Sequence, residues 1–330
     1  MLLDVFWKRN ALHILQWHIT NSCNLRCKHC YQDDYTQNMN YNEATEWLRQ
    51  YDDYLKEQKM TGQINLTGGE PLMCPFLLDL IGEIRKRHHG FALLTNGTMI
   101  DAAYSKRLAA FKPVFVQVSI DGDEATHNKI RGQGQFQKTI EGIKNLKHSG
   151  IRVLVSYTVQ KSNVGCIEEA VRICNDLGID KFWWDRVVSS DTETLSLSTQ
   201  EFKKTVELMQ ILREQYKEPD GISFVTNSRS LQSLDCSSCY RCAAGQKNLA
   251  VWLPNGDVMP CRRLPVVLGN LHYTDFKSIY ESKMMDEIIR HPFPKECIGC
   301  KRLVQCNGGA KCVTYAQTGN MYARDVNCFY

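Results

Sequence analysis

The chain has 330 residues, 43% of them hydrophobic and 23% charged, with a net charge of +4. That composition suits a folded protein with one large and one small domain, and so mild a charge gives no reason to expect nucleic acid or an anionic membrane as partner. The basic stretch Lys86-Arg87-His88-His89 reads as a solvated helix end. No signal-peptide pattern is visible, and no apolar run reaches the roughly 18 residues of a membrane span. The expected location is therefore the cytoplasm. There, 15 cysteines in a large chain point to metal or redox chemistry, not to a disulfide framework.

Residues 14–20 form the first β-rich run, and the loop after it reads Cys23-Asn-Leu-Arg-Cys27-Lys-His-Cys30-Tyr31. Three thiolates within eight residues can converge on one iron–sulfur cluster. A four-iron cluster with three protein ligands keeps one iron open, as a catalytic metal centre requires. A zinc loop borrowing a distant fourth ligand is the competing reading.

Asn40, with Glu43 three residues on, has capping-box spacing and starts a helix over 41–58. The strand 63–67 then runs into Gly68-Gly69-Glu70-Pro71, where glycines permit close backbone approach and a plain tight turn is the alternative. A helix over 76–87 leads to the strand 91–95 and its Thr95-Asn96-Gly97 turn. The strand 114–120 carries Ser119-Ile-Asp121-Gly122, and Arg131 follows with a fork suited to a carboxylate. Next come a helix over 136–149, a strand over 152–159 and a helix over 164–177 that starts behind Ser162-Asn163.

The sixth strand, 181–188, contains Trp183-Trp184-Asp185-Arg186. Alternation puts Trp183 and Asp185 on one face and Trp184 and Arg186 on the other. Asp185 is the candidate catalytic residue, able to accept a proton or pin a substrate amide; packing tryptophans and an Asp185–Arg186 pair are the bland alternative. Cys166 and Cys174, on a helical segment, read as small core residues, and so does Cys74.

Six strand–helix units imply a parallel sheet with helices outside it, too few for a closed eight-unit barrel. The expected fold is α/β, a partial (β/α)6 barrel with an open side and its chemistry at the strand ends. A helix from about 200 to 217 closes this region, and Glu218-Pro219-Asp220-Gly221 marks a boundary. Residues 1–220 are then the barrel and 221–330 a small cysteine-rich domain whose only long helix spans 273–290. A domain with so small a core needs metal staples.

The cysteine spacing of three residues then two, with an aromatic residue after the third cysteine, resembles the radical S-adenosylmethionine (SAM) superfamily. The resemblance implies that Cys23, Cys27 and Cys30 hold a [4Fe-4S] cluster whose free iron binds SAM. It also implies that Gly68, Gly69, Glu70, Pro71, Asn96, Ser119 and Arg131 contact SAM.

The C-terminal pattern is Cys242, thirteen residues, Gly256, four residues, Cys261, then Cys297, Cys300, Cys306, Cys312 and Cys328. It resembles the SPASM extension, which holds two auxiliary four-iron clusters. By that resemblance Cys297, Cys300, Cys306 and Cys328 hold the outer cluster. Cys242, Cys261 and Cys312 hold the inner one, with Cys236 or Cys239 as fourth ligand. Five residues separate Cys306 from Cys312 where the family commonly has three. A pair of zinc sites is the alternative for this region.

The resemblance further implies a peptide or protein substrate, modified by crosslinking, thioether formation, epimerisation or residue oxidation, and an electron donor such as flavodoxin or ferredoxin. A small-molecule dehydrogenase or a tetrapyrrole-pathway enzyme is the alternative, and a metal-stapled binding protein the non-enzymatic one. A first strand starting near residue 14 is expected to leave no room for an N-terminal leader-binding domain.

Overall fold

A computed structural model describes residues 12–216, 222–226, 248–290 and 293–330. Cys236, Cys239, Cys242 and the boundary at 218–221 lie outside the described residues.

Among the described residues, one ten-stranded sheet organises the molecule. The six expected strands are β1 (Leu12–His18), β2 (Thr61–Thr67), β3 (Gly90–Thr95), β4 (Phe115–Ser119), β5 (Val153–Val159) and β6 (Lys181–Arg186). Neighbours from β1 to β6 pair in parallel. Beyond them, β7 (Ser223–Thr226) pairs parallel to β6, and β8 (Leu249–Trp252) pairs parallel to β1. The short strands β9 (Asp257–Met259) and β10 (Gly269–Asn270) extend this side antiparallel. The margin beside β1 is therefore covered, and among the described residues no strand pairs with β7 on its far side. Sequence reasoning missed these four strands because each has at most four residues, too few to show a period.

The helices of the sheet layer are α1 (Tyr41–Gln58), α2 (Leu77–Lys86), α3 (Ala102–Ala110), α4 (Glu124–Arg131), α5 (Gln135–His148), α6 (Ile167–Asp176) and α7 (Thr199–Gln215). The Asn40–Glu43 capping box is present, and a second, Ser198–Glu201, starts α7. Asn163 does not cap a helix: its side chain accepts from Gln160 N, so a 3-10 turn over Val164–Cys166 intervenes before α6. Cys174 is fully buried, Cys74 nearly so, and half-buried Cys166 lies 3.1 Å from the Thr126 hydroxyl.

The C-terminal helices are α8 (Phe276–Tyr280), α9 (Lys283–Arg290), α10 (Leu303–Cys306) and α11 (Lys311–Thr318). The single helix expected over 273–290 is thus two, because Asp275 caps a start at Phe276 and the chain breaks at Glu281 and Ser282.

Odd-numbered β1 residues face the helices. His13 sits among Tyr51, Tyr54, Phe276 and Tyr280, and Trp17 packs edge-on to Trp252 with ring centroids 5.2 Å apart. Each such aromatic pair adds about 0.5–1.5 kcal/mol beyond burial, so this cluster locks β8 and α8 onto the barrel. Burial pushes the His13 imidazole down to about 3, so it is a neutral core residue. The opposite, inner face of the sheet carries half-buried Gln16, Gln63, Asn65, Gln117, Ser156 and Thr158.

Candidate active site

The cysteine loop leaves the C-terminal end of β1 and is held by backbone on two sides. Asn21 N donates to Gln37 O, and Lys28 N donates to Ile130 O on α4. The turn after β2 clamps it from below: Gly69 N donates to Thr20 O and Glu70 N to Ser22 O, both at 2.8 Å. This contact explains both glycines. A Cβ on Gly68 (φ +150°) would sit 2.2 Å from Thr20 O, and one on Gly69 would sit 2.4 Å from Ser22 O. The close approach the sequence suggested is thus made to the chain's own cysteine loop.

Cys23 and Cys27 are half-buried and Cys30 is exposed. Backbone N–H groups of Leu25 and Gln32 lie 3.4 Å from the sulfurs of Cys23 and Cys30, and Arg131 Nη1 lies 3.8 Å from Cys27 Sγ. Burial above all, then the neighbouring Glu70, Cys27 and Cys30, pushes the Cys23 thiol up to about 11. Three thiols on one short loop, met by N–H and guanidinium donors, form a donor set that fits an iron–sulfur cluster. Among the described residues no three His, Cys, Asp or Glu side chains are gathered to chelate a single metal ion.

Glu70 is fully buried. It accepts from Leu72 N (3.2 Å) and the Thr95 hydroxyl (2.7 Å) on Oε1, and from Asn96 N (2.8 Å) on Oε2. Burial outweighs these donors and pushes its carboxyl up to about 7. Of about four lone-pair positions on a carboxylate, three are occupied. Glu70 therefore ties β2 to β3 and keeps one acceptor position. Pro71 starts the short turn behind it. Asn96 continues the tie, since its Nδ2 donates to Asn24 Oδ1 at 2.8 Å.

Arg131, from α4, is buried, and its Nε donates to Asp121 Oδ2 at 2.6 Å. Burial alone would raise the Asp121 carboxyl, but Arg131, His29 and His127 hold it below the ordinary carboxylate value. Arg131 thus spends one N–H on Asp121 and turns Nη1 toward Cys27. Ser119 is half-buried on the inner face, in register with Ser156.

Asp185 and Trp183 share the inner face, where Trp183 Nε1 donates to Asp185 Oδ2 at 3.1 Å. Asp185 does not pair with Arg186. Among the described residues it forms an ion pair with Arg263, whose Nη2 donates to Oδ2 at 2.9 Å. Arg186 lies on the other face, over the Phe202 ring, bonded to Asp325 and Asn327. Sequence reasoning missed Arg262 and Arg263. The available signal was a pair of arginines directly after Cys261.

The described C-terminal cysteines separate into two places. Cys297, Cys300, Cys306 and Cys328 all line one cavity of about 250 Å³, together with Arg302, Arg324 and Tyr330. Arg324 Nη2 lies 3.2 Å from Cys328 Sγ. Cys261 and Cys312 instead flank Arg263 closely enough to act on its charge. The two extra residues before Cys312 are absorbed by Asn307, Gly308 and Gly309, which turn with φ of +52°, +80° and +96°. This turn packs on Asp325, which accepts from Ala310 N at 2.7 Å. None of the twelve described cysteines is in a disulfide, and no described helix is long and apolar enough to cross a membrane.

Residues 17–174 match the family described as the Radical SAM superfamily, and residues 239–301 match SPASM, an iron–sulfur cluster-binding domain. The chain is 26% identical to the pre-heme d1 synthase of Dinoroseobacter shibae, over 96% of this chain and 86% of that one. It is 26% identical to an AdoMet-dependent heme synthase of Methanosarcina barkeri, over 97% of each. It is also 25% identical to the subtilosin biosynthesis protein AlbA of Bacillus subtilis, over 94% of this chain and 67% of that one. Among solved structures, anSMEcpe with bound AdoMet superposes with a TM-score of 0.81 at 19% identity, covering 96% of this chain and 94% of that one. SuiB of Streptococcus suis, bound to its precursor peptide SuiA, gives 0.76 at 18% identity, covering 98% and 76%.

Proposed function

Because the chain belongs to the radical SAM superfamily and carries a SPASM domain, we propose that this enzyme removes a hydrogen atom from a peptide segment held at the strand ends of its partial barrel. A [4Fe-4S] cluster with SAM bound supplies the 5′-deoxyadenosyl radical that makes this chemistry possible. Cys23, Cys27 and Cys30 hold that cluster. Cys297, Cys300, Cys306 and Cys328 hold an outer auxiliary cluster, and Cys261 and Cys312 belong to an inner one. Gly68, Gly69, Glu70, Pro71, Asn96, Ser119 and Arg131 border the SAM position. There the remaining acceptor position of Glu70 suits an ammonium group and Arg131 suits a carboxylate.

Asp185 is the residue that touches the substrate. Trp183 and Arg263 hold its carboxylate in place, so it can pin a substrate amide or take up a proton without first reorganising. An electron donor such as flavodoxin or ferredoxin reduces the catalytic cluster.

The peptide reading is carried by the inner face. Its half-buried amides and hydroxyls, from Gln16 to Thr158, can pair with the N–H and C=O groups of an extended chain lying across the strand ends. The second reading, a tetrapyrrole carboxylate substrate, is favoured by the heme-synthase relatives, which match over nearly the whole chain.

The experiment uses reduced enzyme, SAM and either the peptide encoded beside its gene or an iron coproporphyrin. 5′-Deoxyadenosine is measured alongside substrate mass. A peptide mass lowered by two hydrogens, or raised by one unit in deuterated water, supports the first reading. Turnover on the porphyrin alone replaces it with the second.

A further inference from the structure

Three of the described arginines at the strand ends, or on the segment packed on them, have a carboxylate partner. Arg131 pairs with Asp121, Arg186 with Asp325 and Arg263 with Asp185. Arg262 has no ion-pair partner among the described residues. Its guanidinium lies over the Tyr31 ring, 4.6 Å from the centroid, and its Nε is buried with no hydrogen-bond partner. A desolvated guanidinium N–H left unpaired is costly, so its position calls for an acceptor.

The surroundings narrow the kind of acceptor. Arg262 and Arg263 bring two positive charges to this junction, beside the thiols of Cys30 and Cys261, and the Asp185 carboxylate is held by Arg263. His18, buried at the end of β1, adds none: burial first, and the charge of Arg262 second, hold its imidazole down to about 3. Gln16 lies beside it, with Nε2 3.4 Å from His18 Nε2. Its place over the Tyr31 ring holds the guanidinium by its face and leaves its N–H groups to form the fork that matches a carboxylate.

We infer that Arg262, stacked on Tyr31 beside His18 and Gln16, is a recognition site for a carboxylate of the substrate. This rests on the reading that substrate binds at the strand ends beside Asp185. Two substrate classes bring that chemistry, an acidic side chain of a peptide and a propionate of a tetrapyrrole. The anchor sets which end of the substrate points toward Cys261 and which toward Cys30.

Arginine-selective modification tests the site without turnover. Cluster-loaded enzyme with SAM is treated with phenylglyoxal, and peptide mass mapping reads Arg262 and Arg263 separately. The probes are acetyl-Gly-Asp-Gly amide against its Asn counterpart, and coproporphyrin III against its tetramethyl ester. The acids are supplied at millimolar concentration, the range one such contact supports.

Arg262 is expected to react several-fold faster than ion-paired Arg263, and at least one acid is expected to slow it several-fold while its neutral counterpart does not. Slowing by the tripeptide supports a peptide carboxylate. Slowing by coproporphyrin alone keeps the carboxylate site and overturns the peptide reading. No slowing by either acid, or equal slowing by the neutral forms, overturns the site. So does an Arg262 that reacts only after the clusters are stripped, because cluster charge would then be its partner.

Discussion

Replacing Asp325 by Ala should open the C-terminal segment while leaving the barrel folded. Arg186 and Asp325 are 3% and 1% exposed in their side chains. Their pairing is bidentate, with Nη1 to Oδ1 at 2.9 Å and Nη2 to Oδ2 at 2.8 Å. Asp325 also accepts from Ala310 N and Asn327 N. Removing one partner of such a buried pair strands the other charge and costs about 3–5 kcal/mol.

The acid side of the same pair gives an independent magnitude. Burial acts to raise the Asp325 carboxyl, but Arg186 and the backbone donors bring it from 3.8 down to about 2. A depressed carboxyl contributes stability above its unfolded value that is lost as pH falls from 3.8 toward 2, here about 2.5 kcal/mol. Native-state hydrogen exchange of residues 308–328 reads local opening directly. Asp325→Ala should speed exchange there by about a thousandfold, the factor equivalent to about 4 kcal/mol, with β2 to β4 unchanged. An Arg186→Met/Asp325→Leu double variant should exchange more slowly than Asp325→Ala, since no unpaired charge remains. Exchange within threefold of the parent in Asp325→Ala, or a double variant as open as the single one, would refute the reasoning.

Glu70 titrates in the opposite sense. Its folded value of about 7 lies above the ordinary 4.5, so stability should fall by about 3 kcal/mol as pH rises from 4.5 through 7; Glu70→Gln should flatten that slope in urea melts, and an unchanged slope would assign it to another group. Gly69→Ala places a Cβ 2.4 Å from Ser22 O and 2.5 Å from Asn21 O, so the cysteine loop must shift. The variant should lose about a third of the iron while the four-cysteine cavity keeps its share, and full iron content would show that the clamp yields. Cys312→Ala should likewise lower iron content and weaken the C-terminal segment. Full iron with unchanged melting would remove Cys312 from the ligand set.

The repeating architecture and the candidate ligands were legible in the residues alone. Cys23, Cys27 and Cys30 lie within eight residues, so a shared site could be proposed for them without long-range knowledge. β1 to β6 and α1 were legible because each is long enough to show its period or its cap, as Asn40 and Glu43 did. Trp183 and Asp185 share a face because strand alternation is a property of the backbone.

What the sequence left open is what depends on partners far apart in the chain. The pairing of β8 with β1, and so the covering of that margin of the barrel, follows from packing Trp252 on Trp17 across more than two hundred residues. The partner of Asp185 is Arg263, not its neighbour Arg186, because adjacent strand residues point to opposite faces and only folding brings residue 263 to the inner one. The irregular gap before Cys312 could not be judged from spacing alone. A left-handed Asn-Gly-Gly turn absorbs two residues at little conformational cost, and only its packing on Asp325 shows where they go.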